Sequence, residues 1–202
     1  MIDAAAPFFG LPASLRIPIA AASVADIETY IGRVLQSVTN SDGRPNAVLV
    51  ESRSPVPIKE PNVPLWTSAL ASSAEQRLHA RNQVWVHVDY DGYRQAYIDF
   101  GMPAIPQGYV LDHVQNRIAV QNRGYLHPYL RLCPVRQSVN TSGGHSAGGE
   151  GKEKEFLAKY GPSPAPNRIV YADPMDLTKM LDIKPGTVPM DGVRDTQQLF
   201  YP

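Results

Sequence analysis

Apolar residues recur at two different periods along this chain, and the changes of period mark where elements begin and end. Ile27, Tyr30, Ile31, Val34 and Leu35 fall at helical spacing, which predicts a first helix over residues 25–38. Ser23 with Asp26 resembles a capping box at its start, with Asp in place of Glu, and the polar run 40–43 ends it. A second helix is predicted over 68–81, rich in alanine, with Leu70, Ala74 and Leu78 near one face. Between them residues 47–51 read as a short strand. Residues 83–90 and 93–100 are rich in Val, Trp, Tyr and Ile and are joined through Asp91-Gly92, a favoured hairpin turn, so they predict an antiparallel pair. Two further short strands are expected at 109–111 and 129–133. A helix over 136–141 would end at Gly143 and Gly144, another would open at Lys152, and a last one would start at Asp173-Pro174 and carry Met175, Leu177, Met180 and Leu181.

Proline sets the organisation around these elements. The nineteen prolines fall mainly in the first twenty residues, in 44–64 and from 162 onward. The chain therefore divides into an N-terminal extended arm (1–22), a globular domain (23–160) and a C-terminal extended arm with a short helix (161–202). The expected class is α+β: N-terminal helices and a β-hairpin, then a strand-loop-strand-helix element, with proline-rich extended arms.

Composition narrows the function classes. With 202 residues, 43% hydrophobic and 19% charged, the chain is globular rather than disordered throughout. At this size it buries roughly 70% of the surface its unfolded form exposes, without covalent staples. The single cysteine, Cys133, excludes an internal disulfide framework and any zinc site built from several thiolates. Nineteen basic residues balance nineteen acidic ones, so any polyanion surface must be local. It gathers in 109–160, where seven Lys and Arg (117, 123, 131, 136, 152, 154, 159) face four acids (112, 150, 153, 155), whereas residues 1–108 carry eight basic and ten acidic. Residues 1–22 do not read as a secretory signal, since Asp3 stands where cations belong and Pro7, Pro12 and Pro18 interrupt the apolar stretch. No segment reads as a membrane span. The expectation is a cytoplasmic, delivered or virion-associated protein with no membrane partner.

The candidate chemistry lies in 108–160. A short apolar strand stops at the adjacent pair Asp112 and His113; a polar loop follows with Asn116, Arg117, Asn122, Arg123 and Gly124; then come the second strand and a short helix that carries Asn140. The segments LDH at 111–113 and YLRLCPVRQSVNTSGG at 129–144 resemble the ββα-metal core of the HNH, or His-Me finger, nucleases, over residues 109–144. The resemblance implies a ββα-metal-like element with His113 as the general base that activates water, and Asp112 with Asn140 as ligands of one divalent metal. The family's middle Asn, which orients the base, is expected near the start of the second strand; this chain reads Tyr129, Leu130, Arg131 there.

These residue types suit phosphodiester hydrolysis. An imidazole of near-neutral pKa can deprotonate water, and a carboxylate with an amide carbonyl favours Mg²⁺ or Mn²⁺. Arg117, Arg123 and Arg136 are the candidate nucleic-acid contacts, with DNA ahead of RNA as partner. His87 in the predicted sheet reads as a satisfied structural histidine, His127 in Leu-His-Pro as a turn residue and His145 as a solvated loop residue. The glycine-rich stretch 143–151 lacks the Lys-Ser/Thr ending of a phosphate-binding loop. Two functions follow: a metal-dependent endonuclease of HNH type, delivered as a toxin or associated with a phage, or a non-catalytic assembly component of a virion or large complex that keeps such a fold and binds protein partners through its arms.

Overall fold

A computed structural model describes residues 17–53, 78, 80–122, 124–139, 168–172, 176 and 179–180. The chain is a mixed α+β protein built on a curled antiparallel sheet. Its elements in order are β1 (Pro18–Ala21), α1 (Val24–Tyr30), β2 (Gly32–Thr39), β3 (Pro45–Ser52), β4 (Asn82–His87), α2 (Tyr93–Asp99), β5 (Tyr109–His113), α3 (Arg117–Asn122), β6 (Tyr129–Arg136) and β7 (Ile169–Tyr171).

Strands follow the order β2-β3-β4-β6-β1-β7, and β5 joins β6 off this path. β6 is the hub. Its first half lies between two partners, with Val86 opposite Leu130 on β4 and Ala20 opposite Leu130 on β1. Its second half pairs with β5, from His113 opposite Leu132 to Tyr109 opposite Arg136. β3 carries the continuous apolar run Ala47–Val50 because both of its faces are covered. Alternate residues divide the run: Val48 and Val50 pack with Trp85 against Ile27 and Ile31 below α1, while Ala47 and Leu49 pack with Val84 and Val86 against Tyr93, Ala96 and Tyr97 of α2 and Phe100 at its C-cap.

α1 starts as its sequence asks. The Ser23 hydroxyl oxygen accepts from the Asp26 N–H at 3.1 Å and the same hydroxyl donates to the Asp26 carboxylate at 2.5 Å. The helix is shorter than expected, however, and residues 32–39 form β2 instead of continuing it. Gly32 causes the break: a Cβ there would lie 2.0 Å from the Glu51 carbonyl oxygen, so only glycine lets β2 approach β3 this closely. β-branched Val34 and Val38 then pack inward from the strand. At the other end Arg53 closes α1, donating to the carbonyls of Glu28 at 2.6 Å and Thr29 at 3.2 Å.

The expected hairpin over 83–100 is corrected as well. Its first half is β4, but its second half is α2. Gly92 has φ −75°, not the left-handed geometry of a type I′ turn, and Tyr93, Ala96, Tyr97 and Phe100 bury one face at helical spacing. The alternating reading of YRQAYIDF fails because the helical face meets the sheet. Strands β3, β5 and β6 stand where expected but run longer, and β5 includes both Asp112 and His113. Of the helix expected over 68–81, only Leu78, Ala80 and Arg81 are among the described residues; Leu78 is helical and buried. The helix expected over 136–141 is helical at 137–139, and of the one expected from Asp173, residues 176, 179 and 180 are helical. The helix expected at Lys152 lies outside the described residues, as do most of both arms.

Candidate active site

β5 positions the Asp-His pair, and strand alternation separates its side chains. Leu111 and His113 face the cluster under α2, whereas Val110 packs on the other side, against the cluster of Ile17, Ile19, Cys133, Val135 and Met180. Asp112 shares the face of Val110. Adjacent residues thus reach different neighbours from the end of one strand.

His113 is 5% exposed. Its ring meets the Tyr93 ring edge-to-face, with centroids 4.6 Å apart at 65°. Burial drives its pKa down to about 4; Asp112 opposes that, while Arg117, Lys179 and Arg94 add to it. The imidazole is therefore neutral at pH 7. Its Nε2 is buried and makes no hydrogen bond among the described residues.

Asp112 forms an ion pair with the Lys179 ammonium, the two side chains being 22% and 13% exposed. The same ammonium donates to the His113 backbone carbonyl at 3.2 Å. One cation is thus held by a carboxylate and a carbonyl, both hard oxygen donors of the kind Mg²⁺ and Mn²⁺ take. What places Lys179 here is Met180, fully buried against Ile17, Leu78 and Cys133. Among the described residues no group of three or more His, Cys, Asp or Glu is arranged to hold a metal ion. Asn140, the other expected ligand, lies outside the described residues.

The expected nucleic-acid contacts are scattered. Arg117 opens α3 and is tied down, with Nε donating to the Val88 carbonyl at 2.7 Å and Nη2 to the Asp91 carboxylate at 3.0 Å. Arg136 is exposed at the far end of the ladder, its guanidinium 5.6 Å from the centre of the Tyr109 ring, so β5 separates it from His113 by about 13 Å at the usual strand rise. Arg123 lies outside the described residues. Arg94, 4.8 Å over the Tyr93 ring, is a cation near His113 that the sequence pattern did not single out.

His87 fits its expectation as a satisfied sheet residue. Its Nδ1 accepts from the Asp89 N–H at 3.3 Å and its ring meets Tyr129 edge-to-face at 5.4 Å. Burial, then Arg44, hold its pKa below the usual histidine range against the pull of Asp89.

Sequence reasoning missed Lys179 and Tyr93, the two residues that most define the surroundings of the pair. The spacing of Met180 marked a helix, but nothing local signals that this helix brings an ammonium to β5. Among the described residues no helix is long and apolar enough to cross a membrane. Comparison with family models, with curated proteins and with solved structures finds no match to this chain.

Proposed function

We propose that this chain hydrolyses phosphodiester bonds in nucleic acid, DNA ahead of RNA, from a site built on the β5–β6 ladder. One observation supports the reading: β5 ends in Asp112 and His113, the chain returns antiparallel as β6, and helical residues follow at 137–139, although the short helix α3 stands between the strands in place of the expected polar loop. His113 is the general base. With its pKa near 4 it is unprotonated at neutral pH and ready to take a proton at a ring nitrogen, although a base this weak gives up part of its driving force. Burial against Tyr93 fixes the ring's orientation in place of the absent middle Asn. Asp112, with Asn140, would hold Mg²⁺ or Mn²⁺ once the Lys179 ammonium had left Asp112, and the ion would supply positive charge to the phosphate and the leaving oxygen. Arg117 and Arg94 add cationic field around the imidazole.

The test is cleavage of plasmid DNA and of RNA by the purified chain with Mg²⁺, Mn²⁺ or EDTA. Cleavage that requires the ion and falls in His113→Ala is the expected result. Cleavage that survives EDTA removes the metal mechanism.

A second reading, a non-catalytic assembly component of a virion or large complex, is favoured by a different observation. Asp112 is already neutralised by Lys179, and His113 is enclosed by the core. On this reading the pair braces the fold, and the proline-rich arms hold protein partners. Absence of cleavage under every condition, together with a mass in solution that drops when residues 186–202 are deleted, would favour it.

A further inference from the structure

Arg33 on β2 and Arg81, immediately ahead of β4, reach the same carboxylate, that of Glu51 on the strand between them. Arg33 Nη2 donates to Oε2 at 2.9 Å, while Arg81 donates to Oε1 from Nη2 at 2.7 Å and from Nε at 3.1 Å. These bonds, that of Arg33 foremost, hold the Glu51 carboxyl below the usual carboxylate range, so it stays charged and keeps both guanidinia in place. Gly32 sets the spacing, since only a residue without Cβ lets β2 lie this close to the Glu51 backbone. Of the five N–H donors on a guanidinium, Arg33 spends one here and Arg81 two. The others make no hydrogen bond among the described residues, and the two side chains are 71% and 77% exposed. Ion pairs this exposed contribute little to stability, so holding the fold does not account for the cluster.

The surroundings extend the positive charge. β2 contains no acidic residue, and Gln36, Ser37 and Thr39 follow Arg33 along it as exposed side chains able to donate hydrogen bonds. Among the described residues β2 pairs with β3 alone, so its outer edge adds backbone N–H groups. Over residues 32–53 together with Arg81, four arginines (33, 44, 53 and 81) meet two acids, Asp42 and Glu51, although residues 1–108 as a whole carry more acid than base. Glu28, whose backbone carbonyl Arg53 holds, is a further acid at the border and still leaves the balance positive. Guanidinium, hydroxyl, amide and backbone N–H groups are those that contact phosphate and sugar oxygens rather than base edges. β2 also offers no aromatic ring on which unpaired bases could stack, which favours a duplex, the denser line of phosphates, over a single strand.

We infer that the β2 edge, anchored by Arg33 and Arg81, is a binding surface for the sugar–phosphate backbone of duplex DNA, independent of base sequence. Glu51 orients the two guanidinia, and the backbone takes the N–H groups that Glu51 leaves unspent. The surface lies apart from the candidate active site, because β3, β4 and β6 stand between β2 and β5 in the sheet. It shares a nucleic-acid partner with the hydrolytic reading but none of its chemistry: binding here needs neither His113 nor a metal ion.

Binding of a short fluorescently labelled DNA duplex to the full chain, followed by anisotropy in EDTA, tests this without any contribution from metal-dependent cleavage. Wild type is expected to bind, with an affinity that falls as salt rises. Arg33→Gln and Arg81→Gln are each expected to flatten the plot of log affinity against log salt by about 0.9 and to weaken binding roughly eightfold at about 0.1 M salt, the loss of one phosphate contact. Arg33→Lys and Arg81→Lys keep the charge and should keep the slope. Exchange of the β2 amide hydrogens in wild type, read by mass spectrometry, is expected to slow when the duplex is added, and this measurement decides the matter even if a variant fails to fold.

A wild type that binds no duplex at low salt, glutamine variants with the wild-type slope, β2 amides that exchange at an unchanged rate, or tighter binding of a single strand of the same length would each overturn the inference. Mg²⁺-dependent cleavage alongside any of these results leaves the hydrolytic reading standing. Duplex binding at β2 without cleavage under any condition leaves this inference standing and ends that reading.

Discussion

The Tyr93 ring and the His113 imidazole pack edge-to-face, joining the first turn of α2 to the last residue of β5. The contact does two things: it closes the cluster between helix and ladder, and it shields the imidazole from bulk solvent. Tyr93→Ala should therefore raise the His113 pKa from about 4 toward its ordinary 6.5, because water entering the gap solvates the charged form. An NMR titration of the His113 ring protons reads this directly. Tyr93→Phe keeps the ring and should leave the pKa near 4.

The same burial makes stability depend on pH. In the unfolded chain His113 protonates below about 6.5, while in the folded chain it stays neutral down to about 4. Its contribution is complete above pH 6.5, is lost progressively as pH falls from 6.5 to 4, and changes no further below that. The full span corresponds to about 3 kcal/mol. Denaturant midpoints measured from pH 7.5 to 4 should fall in wild type, and the fall should be shallower in His113→Asn. His87, whose pKa is also lowered, gives that variant its remaining slope in the same direction.

Two glycines separate close approach from backbone conformation. At Gly32 an added methyl runs into the Glu51 carbonyl, so Gly32→Ala forces β2 and β3 apart and should cost more than about 3 kcal/mol, the range of overpacked core sites. At Gly43, with φ +80° and open space around it, the same change meets only the left-handed backbone penalty of about 1–2 kcal/mol. Chemical denaturation of the two variants should rank them in that order.

Base and ligand roles separate in kinetics. His113→Ala should lower cleavage roughly 10²-fold or more while leaving Mn²⁺ affinity nearly unchanged. Asp112→Asn should weaken Mn²⁺ binding, since it removes the carboxylate that holds the cation. Asn140→Ala should fall between them in affinity. Cleavage rate and Mn²⁺ binding measured on the same preparations give each variant a distinct pair of values; three variants that cleave like wild type would end the proposed mechanism.

Local chemistry was legible where it was decided locally. Ser23 announced the start of α1, and the Val-rich runs of β3 and β4 announced buried strands. Residues 32–39 and 93–100 were misread because their apolar spacing fits either period, and a distant partner chose between them: the Glu51 backbone against Gly32, and the sheet face against Tyr93 and Tyr97. At the site, the adjacency of Asp112 and His113 was visible. Their divergence was not, because it depends on β5 continuing through both residues to pair with Leu132 and Cys133. Lys179 reaches Asp112 across a long sequence separation, through the burial of Met180, and no periodicity encodes that.

The pairing of β1 with β7 has a consequence for how the chain is made. Ala20 pairs with Val170, the Ala22 N–H donates to the Arg168 carbonyl, and the Ala172 N–H donates to the Ile17 carbonyl, so an early segment and a late one share a ladder. During synthesis β1 leaves the ribosome long before either of its neighbours, β6 and β7, exists. Until then its apolar residues and both of its edges must wait, so the sheet is completed only once residues 169–171 have emerged, and chains that stop short of them are the species most in need of a chaperone.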